Sequence, residues 1–131
     1  MITVRFFRDK DNYINKYIGN GHAKYDEYGR DIVCAAVSVL AQTALMSLVD
    51  VCGLKEESIR YNIDEERGFL SVELPNDIEI SKLKDTQTVL ETLFIGIKSV
   101  AEGYPEYVKL ENRRCEWWLS WICNYSLLKK E

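Results

Sequence analysis

The chain is predicted to be an α+β protein with element order β-β-α-β-β-α-β, one mostly antiparallel sheet carrying two packed helices. Two observations predict this. Two pairs of short alternating apolar segments are each joined by a turn-like link, and two longer segments repeat apolar residues at helical spacing.

The first pair begins with Ile2, Val4 and Phe6, which alternate with Thr3 and Arg5; after Asp9-Lys10-Asp11-Asn12 a second alternation runs from Tyr13 to Ile18, and together they read as a β-hairpin. Gly19, Asn20 and Gly21 stop the strand, and the polar segment Ala23 to Arg30 reads as a mobile loop. A helix is expected from Ile32 to about Val51, because Asp31 can accept a backbone N–H as N-cap and Gly53 supplies a stop. Val33, Ala36, Val37, Leu40, Ala44, Leu45, Leu48 and Val49 make this helix apolar nearly all round, as a central, packed helix requires. Its more polar stripe is Cys34, Ser38 and Gln42, four residues apart, which can face a cleft.

A second hairpin is expected from Ile59 to Asp64 and Phe69 to Leu74, linked by Glu65-Glu66-Arg67-Gly68. From about Lys84 to Glu102, Val89, Leu90, Leu93, Phe94, Ile97, Val100 and Ala101 recur at helical spacing, with Gly103 and Pro105 ending the element. Tyr107 to Leu110 completes the order as a short strand. Residues 1–110 read as one domain and 111–131 as a C-terminal extension.

Composition narrows the classes. With 131 residues, 47% hydrophobic and 29% charged, the chain fits a single soluble domain, and no apolar run is expected to approach the roughly 20 residues that span a bilayer. The N-terminus does not read as a secretory signal, so a cytoplasmic location is expected. A net charge of -4 without a basic cluster disfavours direct nucleic-acid binding. Cys34, Cys52, Cys115 and Cys123 form no CxxC pair and accompany a single histidine, so neither metal nor cofactor is expected and reduced thiols are the better reading.

That histidine, His22, lies twelve residues before Cys34. With Asp31 as N-cap, Cys34 falls in the first helical turn, where unpaired N–H groups and the helix dipole favour a thiolate. His22 can then take the thiol proton and return it to a leaving amine, the chemistry of amide cleavage, with the N–H groups around Val33 to Ala35 as candidate oxyanion donors. Asp31 either orients His22 or is occupied entirely with capping. A cysteine on an apolar helix is also a common inert core residue, so spacing alone leaves the function open.

The blocks Gly21-His22-Ala23, Glu27-Tyr28-Gly29 and Asp31-Ile32-Val33-Cys34-Ala35-Ala36-Val37-Ser38 resemble the ribosomal-processing cysteine protease family of bacteria. The likeness extends from Met1 to about Leu110, including Gly103-Tyr104-Pro105-Glu106-Tyr107. It implies His22 and Cys34 as the catalytic pair and Gly21 as a hinge for the loop Ala23 through Arg30; Asp31 and Ser38 stand beside them as supporting candidates from the reading of the residues themselves. It further implies a homodimer that removes the N-terminal extension of a large-subunit ribosomal protein through an apolar groove. The different-class alternative is a non-catalytic dimeric ribosome-assembly or peptide-binding factor for the same segment.

Glu111 to Glu131 depart from the family pattern. As a helix, Trp117, Trp118, Trp121, Ile122, Tyr125 and Leu128 would share one face needing burial by the domain, a partner or a neighbouring subunit; the simpler expectation is an added segment without catalytic purpose.

Overall fold

The structure is a computed structural model that describes residues 1–21 and 28–114, with side chains from Ile32 onward in the first helix. Its elements are β1 (Ile2–Arg8), β2 (Ile14–Asn20), α1 (Tyr28–Asp50), β3 (Arg60–Asp64), β4 (Phe69–Glu73), α2 (Ile80–Gly103) and β5 (Val108–Arg114), with a 3-10 turn at Glu56–Ser58. The strands form one sheet in the order β3-β4-β2-β1-β5. Every neighbouring pair is antiparallel except β1 and β5, which run parallel. The expected α+β order and mostly antiparallel sheet are therefore present.

Strand alternation divides the sheet into two faces. Val4 and Phe6 of β1, Tyr17 of β2 and Leu70 and Val72 of β4 belong to one core with Val33, Val37, Ala41, Ala44, Leu45 and Leu48 of α1 and Leu90, Leu93 and Ile97 of α2. The Phe6 ring centroid lies 6.0 Å from that of Tyr17 and 5.1 Å, edge-on, from that of Phe94 on α2. Tyr17 also donates its hydroxyl to the Ala41 carbonyl of α1 at 2.8 Å. A buried phenol needs such a partner, and burial holds it protonated by pushing its pKa well above the usual value. Both helices thus pack on the same side of the sheet.

The strand junctions carry the polar contacts. At the end of β1, Arg8 is buried, sits 5.1 Å over the Phe94 ring and donates Nε to Asn112 Oδ1 of β5 at 2.9 Å. The pairing skips from Phe7 with Lys16 to Arg8 with Ile14, so Asn15 is the extra residue of a β-bulge. The bulge frees the Ile14 backbone, which Gln87 of α2 satisfies completely: Ile14 N–H donates to Gln87 Oε1 and Gln87 Nε2 donates to the Ile14 carbonyl, both at 2.8 Å.

Several boundaries differ from expectation. β2 continues through Gly19 to Asn20, paired with both β1 and β4. α2 begins at Ile80 rather than about Lys84; its first turn is Ile80, 89% exposed, then Ser81 and Lys82, with Leu83 alone as a partly buried apolar residue, too little periodicity to read. β5 begins at Val108 and runs to Arg114, four residues past Leu110, because Glu111 to Arg114 continue the ladder opposite Arg5 to Arg8.

α1 begins at Tyr28, so Tyr28 to Arg30 are helical and not part of a loop, and Asp31 is the fourth helical residue rather than the N-cap. Gly53, with φ +75°, does end this helix, donating its N–H to the Val49 carbonyl. α1 is not packed all round, since Ile32, Val39 and Met46 are exposed. The expectation about apolar runs is also corrected: the 19 residues Ile32–Asp50 are long and apolar enough to cross a membrane by length and composition. The core helix of a soluble domain satisfies the same criterion, and the Val33, Val37, Ala41 and Leu48 side of α1 is core.

Candidate active site

A cleft of about 250 Å³ opens between the first half of α1 and the end of the sheet where β2 meets the β3–β4 turn. Cys34, Ser38 and Gln42 line its helical wall, so the expected polar stripe does face a cleft. Asn20, the last residue of β2, and Gly21 after it border the cleft, as do Ile63, Gly68 and Phe69 from the hairpin. Cys34 is a free thiol of intermediate exposure. It is neither sealed in the core nor fully solvated, as a nucleophile meeting an extended peptide requires.

Gly21 is placed there by backbone geometry that other residues disfavour. Its φ is +137°, and a Cβ would run into the Met1 carbonyl oxygen and lie 2.7 Å from the Ile2 Cα. Its N–H donates to the Gly68 carbonyl at 3.0 Å, joining the end of β2 to the β3–β4 turn. His22 and Ala23 to Glu27 lie outside the described residues. In the sequence His22 is the next residue after Gly21, which lines the same cleft as Cys34.

The start of α1 revises the expected electrostatics. With Tyr28 already helical, Cys34 lies past the first turn of α1 rather than third in it. Its N–H and those of Val33 and Ala35 fall beyond the four unpaired groups of a helix N-terminus, so the helix cannot spare them as oxyanion donors. Asp31 lies within α1, three residues before Cys34.

Cys52, beyond the far end of α1, is buried, and that burial pushes its thiol pKa up. Cys115 and Cys123 lie outside the described residues, as do Trp117, Trp118, Trp121, Ile122, Tyr125 and Leu128. Among the described residues no group of three or more His, Cys, Asp or Glu side chains is arranged to hold a metal ion.

Sequence reasoning missed the second wall. The β3–β4 turn brings Asp64 and Glu65 to the rim of the cleft with Ile63 and Phe69, although it read only as a hairpin link. Asp64 Oδ1 accepts the Arg67 N–H at 3.2 Å, which shapes this rim. Nothing local in a hairpin sequence says which helix it will face.

A free thiol on the wall of an open cleft, carried by the first helix of an α+β sheet, is the frame of a thiol-dependent enzyme. A family model described as cysteine protease Prp matches residues 1–109, and the chain belongs to that family. The ribosomal processing cysteine protease Prp of Staphylococcus aureus is 30% identical over 113 residues, covering 84% of this chain and 97% of that protein. The Bacillus subtilis protein of the same name is 23% identical over 110 residues, covering 84% and 96%.

Among solved structures, SMU.848 from Streptococcus mutans aligns with a TM-score of 0.76 at 30% identity, covering 87% of this chain and 95% of that one. The essential ribosomal processing protease Prp from S. aureus, in complex with a substrate peptide, aligns with a TM-score of 0.73 at 23% identity, covering 86% and 100%. At that identity the second likeness speaks for the fold.

Proposed function

We propose that the chain is a cytoplasmic, homodimeric cysteine endopeptidase that removes the N-terminal extension of a large-subunit ribosomal protein precursor, with Cys34 as nucleophile and His22 as general base and acid. The observation that carries the proposal is the partly buried Cys34 thiol on the wall of a cleft bordered by Gly21, the residue before His22 in the sequence. Membership of the cysteine protease Prp family supports the reaction class. The name of the S. aureus relative supports the substrate, and the peptide bound in the S. aureus Prp structure supports an extended segment as ligand.

In this mechanism the His22 imidazole takes the Cys34 proton and the sulfur attacks the scissile carbonyl. The tetrahedral intermediate collapses to a thioester as the imidazolium gives its proton to the departing amine. Water, deprotonated by the same imidazole, then releases the new C-terminus. Gly21 serves as the hinge that lets the following segment approach, while Ser38, one turn beyond Cys34, extends the polar wall along the bound chain. Asp31 is kept as a candidate orienter of His22, now without a competing N-cap role.

The homodimer reading is supported by the open apolar side of α1, Ile32, Val39 and Met46, which a second subunit could cover. The net charge of -4 supports a peptide rather than a nucleic acid as partner.

The test is mass analysis of the ribosomal-protein precursor after incubation with wild type, Cys34→Ala or His22→Ala, beside the sedimentation mass of each. One new N-terminus, made by wild type alone, is the expected result. Cleavage by either variant overturns the catalytic assignment, and binding without cleavage by wild type favours the peptide-binding factor.

A further inference from the structure

The polar stripe on the helical wall of the cleft has the step of an extended peptide. Cys34, Ser38 and Gln42 follow one another by four residues, so along α1 each stands about 6 Å beyond the last. An extended chain turns the N–H and C=O of every second residue toward one edge, a repeat of roughly 6.7 Å. With the peptide residue that is attacked placed at Cys34, Ser38 faces the second residue along and Gln42 the fourth. The two repeats drift apart by about 1.4 Å over that distance, and the longest side chain of the stripe stands where the drift is greatest.

Both polar side chains of the stripe are available. Among the described residues no group hydrogen-bonds the Ser38 hydroxyl or the Gln42 amide. By contrast, Thr86, Thr88 and Thr92 of α2 each donate their hydroxyl to the carbonyl one turn back. Gln42 is partly buried, and Ile63 and Phe69 give the cleft apolar lining beside it. A peptide that fills this space takes the remaining water from the amide, which then requires a partner on the peptide itself.

The chain already contains the contact that such an amide makes. Gln87 of α2 accepts the Ile14 N–H and donates to the Ile14 carbonyl, both at 2.8 Å, so one glutamine on a helix satisfies both backbone groups of one strand residue. Gln42 of α1 stands in the same relation to a strand laid along the cleft.

We propose that Gln42 clamps the main chain of the peptide residue four positions from the one whose carbonyl Cys34 attacks, accepting its N–H and donating to its C=O. The proposal rests on the reading of the Cys34 cleft as the site of peptide cleavage. A clamp on the main chain is blind to the side chain it passes, so it fixes the distance to the cut rather than the identity of a residue. It also sets a minimum length: a peptide that stops short of the fourth residue leaves the Gln42 amide without its partner.

The test uses synthetic peptides spanning the junction of the ribosomal-protein precursor, in which one backbone amide at a time, on either side of the cut, is replaced by an ester that lacks the N–H. Affinity is measured on Cys34→Ala with and without Gln42→Leu, and cleavage on wild type and Gln42→Leu. Gln42→Leu should weaken peptide affinity roughly five- to tenfold, the worth of two ordinary hydrogen bonds. In cleavage the loss should fall on KM rather than kcat. An ester at the fourth residue should cost several-fold in affinity where Gln42 is intact and nothing in the Gln42→Leu protein.

Equal ester losses in the two proteins at every position, or undiminished affinity of the Gln42→Leu protein, would overturn the inference. So would coupling to Gln42 at a residue next to the cut in place of the fourth. Cleavage by Cys34→Ala, or none by wild type, would instead strike the catalytic reading, and the affinity comparison would still decide the clamp. Should Gln42→Leu fail to fold, Gln42→Ala and the same ester series carry the comparison.

Discussion

Arg8 chelates Glu91 across the sheet–helix boundary, Nη1 to Oε2 at 2.6 Å and Nη2 to Oε1 at 2.9 Å. The hydrogen bonds from Arg8 hold the Glu91 carboxyl below its ordinary pKa. A carboxyl depressed in the folded state contributes stability above its unfolded pKa and loses it as pH falls through the folded value. Glu91 is 45% exposed, which screens the pair, so Glu91→Gln should cost roughly 1–2 kcal/mol near neutral pH. The difference from wild type should shrink below about pH 4, as read by urea unfolding across a pH series.

Gln87 offers a sharper acid–base test because it both accepts from and donates to Ile14. Gln87→Ala leaves two backbone groups without their partner and should cost about 1–3 kcal/mol. Gln87→Glu can accept but not donate while ionised, and should regain stability on acidification as its carboxyl takes up the missing proton. Thermal unfolding of both variants at neutral and acid pH separates the two effects.

Gly21 and Gly19 should respond in opposite ways to alanine. At Gly21 the positive φ and the Met1 carbonyl resist a Cβ, so Gly21→Ala should destabilise by more than about 1 kcal/mol and reduce precursor cleavage. At Gly19 nothing lies within 4 Å of an added Cβ, and Gly19→Ala should leave the melting temperature the same or higher. Calorimetry beside a cleavage assay checks both.

Alkylation should distinguish the two described cysteines. Cys34 lines an open cleft, whereas Cys52 is buried with its thiol pKa raised. Under native conditions iodoacetamide should modify Cys34 and leave Cys52 intact until denaturant is added, as peptide mapping would show. Modification of Cys52 first would contradict the placement of both.

What was legible in the sequence depended on whether a residue's role is local. Alternation at Ile2, Val4 and Phe6 and the helical spacing of Leu90, Leu93 and Ile97 announced the sheet and α2, because each pattern is the imprint of one buried face. The Cys34, Ser38 and Gln42 stripe was visible for the same reason. The start of α1 was not: Asp31 looks like a cap in isolation, yet the helix already begins at Tyr28. Arg8 and Lys16 are buried, which nothing in their local sequence announces. Their acidic partners Glu91 and Glu73 are remote in sequence, which local periodicity cannot register.

The parallel union of β1 and β5 ties the chain's opening strand to one that is synthesised a hundred residues later. Until Val108 has emerged during translation, one border of β1 has no mate and can recruit a foreign strand. Nascent chains stalled before that point should therefore associate with one another, and release of the last strand is the event that makes the molecule safe to be alone.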